Sequence, residues 1–104
     1  MAQFDVYANP NPVTKHAVPY LLDIQADLLS NLTTRVVIPL YTVAAMGKAA
    51  KYLNLQFSVK RTTVIMSTAE LAGVAVTSLG EKVCSLKDHR NEIIAAIDFL
   101  ITGF

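Results

Sequence analysis

A chain of 104 residues with 53% hydrophobic content and only four prolines and four glycines has the material for one folded domain, and too little length for two. Nine basic residues against eight acidic ones give a net charge of +1, which lacks the overall electrostatic footprint of a nucleic-acid-binding protein. A single cysteine, Cys84, excludes an intramolecular disulfide and a cysteine-rich metal site, and it reads as a small buried apolar side chain rather than a nucleophile.

Met1 to Tyr7 holds no basic cluster followed by an apolar run, so no secretory signal is expected there. The longest uncharged apolar stretch, residues 36–47, contains Pro39 and falls short of the roughly 20 residues that span a bilayer. A soluble, cytoplasmic protein without membrane contact is the expectation.

Gln3-Phe4-Asp5-Val6-Tyr7 alternates apolar and polar residues and reads as a first strand, with Phe4 and Val6 on one face. Two prolines and two asparagines within residues 8–12 end it in a loop. Alternation resumes over residues 18–25, where Tyr20, Leu22 and Ile24 oppose Asp23 and Gln25. Asp27 to Leu32 follows as a turn around an apolar doublet, Leu28-Leu29, with no obvious partner in its own segment. The β-branched run from Thr34 to Leu40 is a third strand, buried on both faces over Val36 to Ile38, in which Pro39 marks a bulge, an edge or the end.

Tyr41 to Leu53 gives no clear pattern, because Gly47 interrupts a short apolar run. Leu53, Leu55, Phe57 and Val59 then alternate with polar residues, and Thr63 to Ser67 follows, so the two runs form an antiparallel hairpin with a solvated Lys60-Arg61 tip. Residues 68–73 read as a turn or one helical turn, residues 74–79 as a sixth strand, and Lys82 to Cys84 as a lead into a helix. That helix runs from Leu86 to Phe104. Ser85 and Asp88 have capping-box spacing, Ile93, Ile97, Leu100 and Phe104 recur at the helical period, with Ile94 and Ile101 on a flanking line, and Gly103 is the stop. The polar first half and the apolar end imply that either the core or a partner covers Leu100, Ile101 and Phe104. Short connections favour an antiparallel, partly barrel-like sheet with one C-terminal helix, an α+β fold in a single domain over 1–104.

Catalytic patterns are missing from the sequence. His16 and His89 read as surface residues, the four scattered glycines form no phosphate loop, and Asp23 and Asp27 read as solvated carboxylates rather than a tuned acid–base pair. The residues alone lead to a small cytoplasmic binding module or structural domain.

Five stretches in register resemble the CcdB family, the toxins of plasmid and chromosomal toxin–antitoxin pairs. They are Gln3-Phe4-x-Val6-Tyr7, Leu22 to Leu29, Arg35 to Leu40, Val74 to Glu81, and Asn91 to Ile97 continuing to Gly103-Phe104. The resemblance implies a sheet related to the MazF/Kid toxins, a homodimer, no cofactor or metal, and a poison of DNA gyrase rather than an enzyme. Such a poison binds the gyrase A subunit, traps it on cleaved DNA and so causes double-strand breaks.

By position, the resemblance implies that Thr102, Gly103 and Phe104 face gyrase, supported by Asp98 and Ile101. Thr102 departs from the family, whose best-known plasmid member anchors on a tryptophan there. A CcdA-like antitoxin is implied to bind near Gln3, Phe4, Tyr7, Asp27, Leu28 and Leu29, and DNA is met only indirectly, through the antitoxin complex. Two alternatives stand beside this reading. One is a gyrase-inactive homologue that serves in antitoxin binding and operon control, and the other is a MazF/Kid-like endoribonuclease.

Overall fold

Three short alternating segments build the centre of the molecule. In the computed structural model, which describes residues 1–47 and 53–103, β1 (Asp5–Ala8) pairs antiparallel with β2 (Tyr20–Asp23), and β2 with β3 (Thr34–Thr42). Val6 lies opposite Leu22 and Leu22 opposite Ile38, so three side chains line up across one face, and all three are fully buried. Burial of such a side chain contributes roughly 1.5–3 kcal/mol, which makes this row the base of the core.

Strands β4 (Gln56–Val59) and β5 (Thr62–Met66) form the hairpin read from the sequence, with Phe57 opposite Val64 and Lys60-Arg61 as its two-residue turn. The sheet runs β4-β5-β3-β2-β1-β7, with β6 (Ala72–Ala75) also paired to β3 and β7 (Lys82–Ser85) at the far edge. Described residues therefore hold seven strands, one more than expected. The strand expected over 74–79 is displaced: pairing begins at Ala72 and the chain turns into a single 3-10 turn at Val76–Ser78. Lys82 to Ser85, read as a lead-in, is itself a strand against β1, where Gly80 donates to the Ala8 carbonyl at 2.9 Å. A Cβ on Gly80 would lie 2.7 Å from that same carbonyl oxygen, so only glycine permits this approach.

Pro39 sits in the middle of the longest strand, not at its end. On one side of β3 the partner changes along its length: β6 takes Thr34 to Val37 and β5 takes Leu40 to Thr42. Pro39 falls in the gap between them, its carbonyl accepting from Ser67 N at 3.0 Å, so no ladder bond is lost by its missing N–H. The two ends of the strand order also approach each other. The Phe57 ring of β4 meets the His89 ring, just past β7, at 5.0 Å between centroids and 61° between planes. The sheet is thus curled into a partly closed barrel.

The helix α2 covers Arg90–Thr102, with Lys87–His89 as a 3-10 turn before it. It starts later than the sequence spacing indicated, and the capping box does not form. Ser85 Oγ accepts from Lys87 N at 3.2 Å instead, while the His89 ring lies 3.3 Å from Glu92. Ile93 and Ala96 are buried against the sheet and Ile94 and Ile97 partly so. The weakly patterned segment after β3 begins with one short helix, α1 (Val43–Met46), capped by the Thr42 hydroxyl. No described helix is long and apolar enough to cross a membrane.

Candidate functional site

The end of α2 and the β2–β3 connection carry the residues singled out in the sequence, and they are built differently. Along α2, Asp98, Ile101, Thr102 and Gly103 are all exposed, with Ile101 at 72%. The core therefore does not cover this tip. Gly103 adopts the left-handed conformation (φ 78°, ψ 16°) and its N–H donates to the Phe99 carbonyl at 2.9 Å, the helix stop expected of a glycine here. The Thr102 hydroxyl donates to the Asp98 carbonyl at 2.7 Å, so its polar atom is engaged within the helix and its methyl group is what it offers outward. Phe104, expected to contribute an aromatic contact, lies outside the described residues.

The β2–β3 connection opens with a 3-10 turn at Asp27–Leu29, which leaves Leu28 at 96% exposure and Leu29 and Leu32 about half exposed. Three hydrogen bonds hold this turn. Gln25 Nε2 donates to the Leu29 carbonyl at 2.9 Å, the Asp27 carboxylate accepts from Gln3 N at 2.7 Å, and Gln3 Nε2 donates to the Ile24 carbonyl at 3.1 Å. Of the residues expected on this surface, Gln3 is half-buried and Asp27, Leu28 and Leu29 are exposed. Phe4 and Tyr7 are inside. Phe4 is 2% exposed with φ 71°, its N–H donating to Asp23 and its carbonyl accepting from Leu86, so it turns the chain into β1 rather than belonging to it. A partner at this surface would meet Gln3 and the Asp27–Leu29 turn, with Phe4 and Tyr7 acting from beneath.

Behind the turn lies a polar cluster that the sequence reading missed. Asp23, taken there as solvated, is 0% exposed, as is Arg35, whose Nε and Nη2 reach Asp23 Oδ2 at 2.9 and 2.6 Å. Gln25 N donates to Asp23 Oδ1 at 2.9 Å and Val36 N to Gln25 Oε1 at 3.0 Å, while Arg35 Nη1 has no partner among the described residues. Asp5 and Tyr7 extend the cluster, with Tyr7 O–H donating to Asp5 Oδ2 at 3.3 Å and Lys82 Nζ lying 3.4 Å from Asp5 Oδ1. Burial pushes the Asp23 carboxyl above its ordinary range, against the Arg35 hydrogen bond and the Gln25 N–H. Burial, followed by the Asp5 charge and hydrogen bond, pushes the Tyr7 phenol up to about 12. The available signal was the register: Asp23 and Arg35 fall on the same side of neighbouring strands.

The cluster is buried, with Asp23 and Arg35 at 0% exposure and Asp5 at 4%. No group of three or more metal-ligating side chains occurs among the described residues. His89 with Glu92 is an exposed pair, its ring packed on Phe57. Cys84 is half-buried against the core, and burial raises its thiol pKa, which disfavours the thiolate.

Two solved structures share the fold. An endoribonuclease in complex with its cognate antitoxin from Mycobacterial species superposes with a TM-score of 0.76 at 12% identity, covering 97% of this chain and 94% of its own. An Mtb toxin superposes with a TM-score of 0.68 at 15% identity, covering 83% of this chain and 97% of its own. At these identities they speak for the fold alone. The sequence itself matches the family model described as CcdB protein from residue 3 to residue 103, nearly end to end, and the chain belongs to the CcdB family of toxins.

Proposed function

We propose that this protein poisons DNA gyrase: it binds the gyrase A subunit through the end of α2, holds the enzyme on cleaved DNA, and is neutralised by a CcdA-like antitoxin. The observation that carries this reading is the uncovered helix end. Ile101 stands 72% exposed beside Thr102 and the left-handed Gly103, on a helix whose other large apolar residues are at least partly buried. An apolar tip maintained in water is what a partner-binding site requires. Asp98, Ile101, Thr102, Gly103 and Phe104 form the gyrase face, Gln3 and Asp27–Leu29 the antitoxin face, and the working form is a homodimer. Membership in the CcdB family supports the toxin role, and plasmid maintenance and operon control belong to the same proposal.

Thr102 favours a second reading, in which antitoxin binding persists without gyrase poisoning. Its hydroxyl is bound to the Asp98 carbonyl and its methyl cannot stack as an aromatic ring would. An endoribonuclease activity, as in one similarly folded protein, has less support, because Asp5, Tyr7, Asp23 and Arg35 are all buried.

The test is to incubate the purified protein with gyrase, supercoiled plasmid and ATP, stop with detergent and protease, and look for linear DNA. Linear DNA that disappears when residues 102–104 are deleted supports the poison. Its absence from the full chain, with antitoxin binding intact, supports the second reading.

A further inference from the structure

The near-neutral total charge conceals a segregation along the chain. From Leu28 to Ala69 there is no acidic residue, yet five of the nine cations fall there: Arg35, Lys48, Lys51, Lys60 and Arg61. The remainder of the chain holds four cations and all eight acids. Such asymmetry points to an anionic partner at the basic part. Arg35 is buried against Asp23, and Lys48 and Lys51 lie outside the described residues, so among those described the exposed charge of this stretch is Lys60 and Arg61.

These two residues make up the turn between β4 and β5, where Val59 pairs with Thr62. Both have positive φ, 47° and 66°, the geometry of a type I′ turn. Asn-Gly is the pair that such a turn favours, and long side chains there are strained. The turn thus carries two adjacent cations where asparagine and glycine are the favoured pair. Neither forms an ion pair among the described residues. Ser58 and Thr63 face each other across the hairpin, and with Thr62 they place three exposed hydroxyls around the tip. Strand β7, at the other end of the strand order, holds a further cation, Lys82. The carboxylates on that side are Asp5, buried and already paired with Lys82, and the exposed Glu81.

We propose that the β4–β5 hairpin tip, Lys60 and Arg61 with the hydroxyls of Ser58, Thr62 and Thr63, contacts the phosphate backbone of duplex DNA beside the partner engaged by α2. The setting rests on the gyrase reading, since gyrase holds duplex DNA, but the contact is defined by its own chemistry. A protein partner would call for an apolar anchor, and Phe57, Val59, Val64, Ile65 and Met66 of the hairpin are all buried. Phosphates need only cations and hydroxyl donors. Two phosphates neutralised per tip give a slope of about −1.8 in log affinity against log salt, so the contact is weak alone and adds to one made elsewhere.

Lys60→Asn combined with Arg61→Gly tests this, because it supplies the pair the turn prefers. The melting temperature should rise by a few degrees, so lost binding is not lost folding. In fluorescence anisotropy at low salt with a labelled random-sequence duplex, the parent binds with the stated slope, and the double variant binds roughly ten-fold more weakly with a flatter slope. Lys60→Gln with Arg61→Gln, which keeps the strain and removes the charge, should match it in DNA binding. With gyrase, the variant gives several-fold less linear DNA at raised salt while binding the A subunit alone as tightly as the parent. Equal duplex binding by parent and variants overturns the proposal, as does a parent that fails to bind duplex at low salt. Loss of antitoxin binding with duplex binding intact also overturns it and assigns the tip to an acidic protein segment. If the parent yields no linear DNA, the gyrase reading falls, and the anisotropy measurement still decides the tip.

Discussion

The turn at Asp27–Leu29 and the last turn of α2 both hold large apolar side chains in water, and they do so by opposite means. The helix end is secured by its own backbone, through the Gly103 N–H to the Phe99 carbonyl, and by Thr102 bonding back to Asp98. The 3-10 turn is too short to hold itself and borrows its shape from the interior. Gln25 reaches out to the Leu29 carbonyl while its own N–H bonds to Asp23, which Arg35 grips from β3. A surface made by a helix tolerates change beneath it, whereas a surface made by a buried network inherits every defect of that network.

The sharpest way to separate the two is Arg35→Met. It leaves the Asp23 carboxylate buried with no counter-charge, a loss of about 3–5 kcal/mol for breaking a buried pair from one side. Urea denaturation should show it, and Asp23→Leu added to Arg35→Met should recover most of the loss, because both charges then go. Hydrogen exchange gives the local readout, with the Leu29 and Ser30 amides exchanging faster while the Gly103 amide keeps its rate. Equal acceleration at both places would mean that the helix end also depends on the cluster.

A smaller effect comes from Tyr7. Its phenol is pushed up to about 12 in the folded protein, against 10.0 ordinarily. Below pH 10 the phenol is protonated both folded and unfolded, and no stability depends on it. Between about pH 10 and 12 the unfolded chain gives up the proton first, so stability falls by about 1.4 kcal/mol per pH unit and roughly 2–3 kcal/mol in all. Tyr7→Phe should flatten that decline, read by thermal melts across the range. The wild-type alkaline loss should begin at the Asp27–Leu29 turn and not at α2.

How far the sequence could disclose these two surfaces follows from the same contrast. The end of α2 was readable because its features are local: the period of Ile93 and Ile97, the late run of apolar residues, and a glycine stop at 103. The hairpin β4–β5 was readable for the same reason. Asp23, Gln25 and Arg35 were not, because their roles come from pairing between strands, and alternation alone puts Asp23 on the face opposite Leu22, which the fold buries as well. Pro39 misled likewise, since its tolerance depends on β6 ending where β5 begins. The helix start was misplaced because Ser85 bonds to Lys87 and the first turn is 3-10, a competition between caps that spacing does not resolve.

The least disruptive changes make the most direct test of what the two surfaces do. Leu28→Ser with Leu29→Ser, and separately Ile101→Ser, alter exposed side chains, so each should move stability by no more than about 0.5 kcal/mol in denaturation. Binding should respond far more, because a leucine taken into an interface is worth roughly 1.5–3 kcal/mol, about ten-fold or more in affinity. The leucine pair should weaken a CcdA-like antitoxin segment, measured by calorimetry, and leave the yield of linear DNA with gyrase unchanged. Ile101→Ser should do the reverse. If the leucine pair instead removed the linear DNA, the pinned turn and the helix end would be two parts of one gyrase surface, and the antitoxin would have to be sought elsewhere or on the same ground in competition. The two readouts are needed together, since an unfolded variant would lose both and a swapped assignment would exchange them.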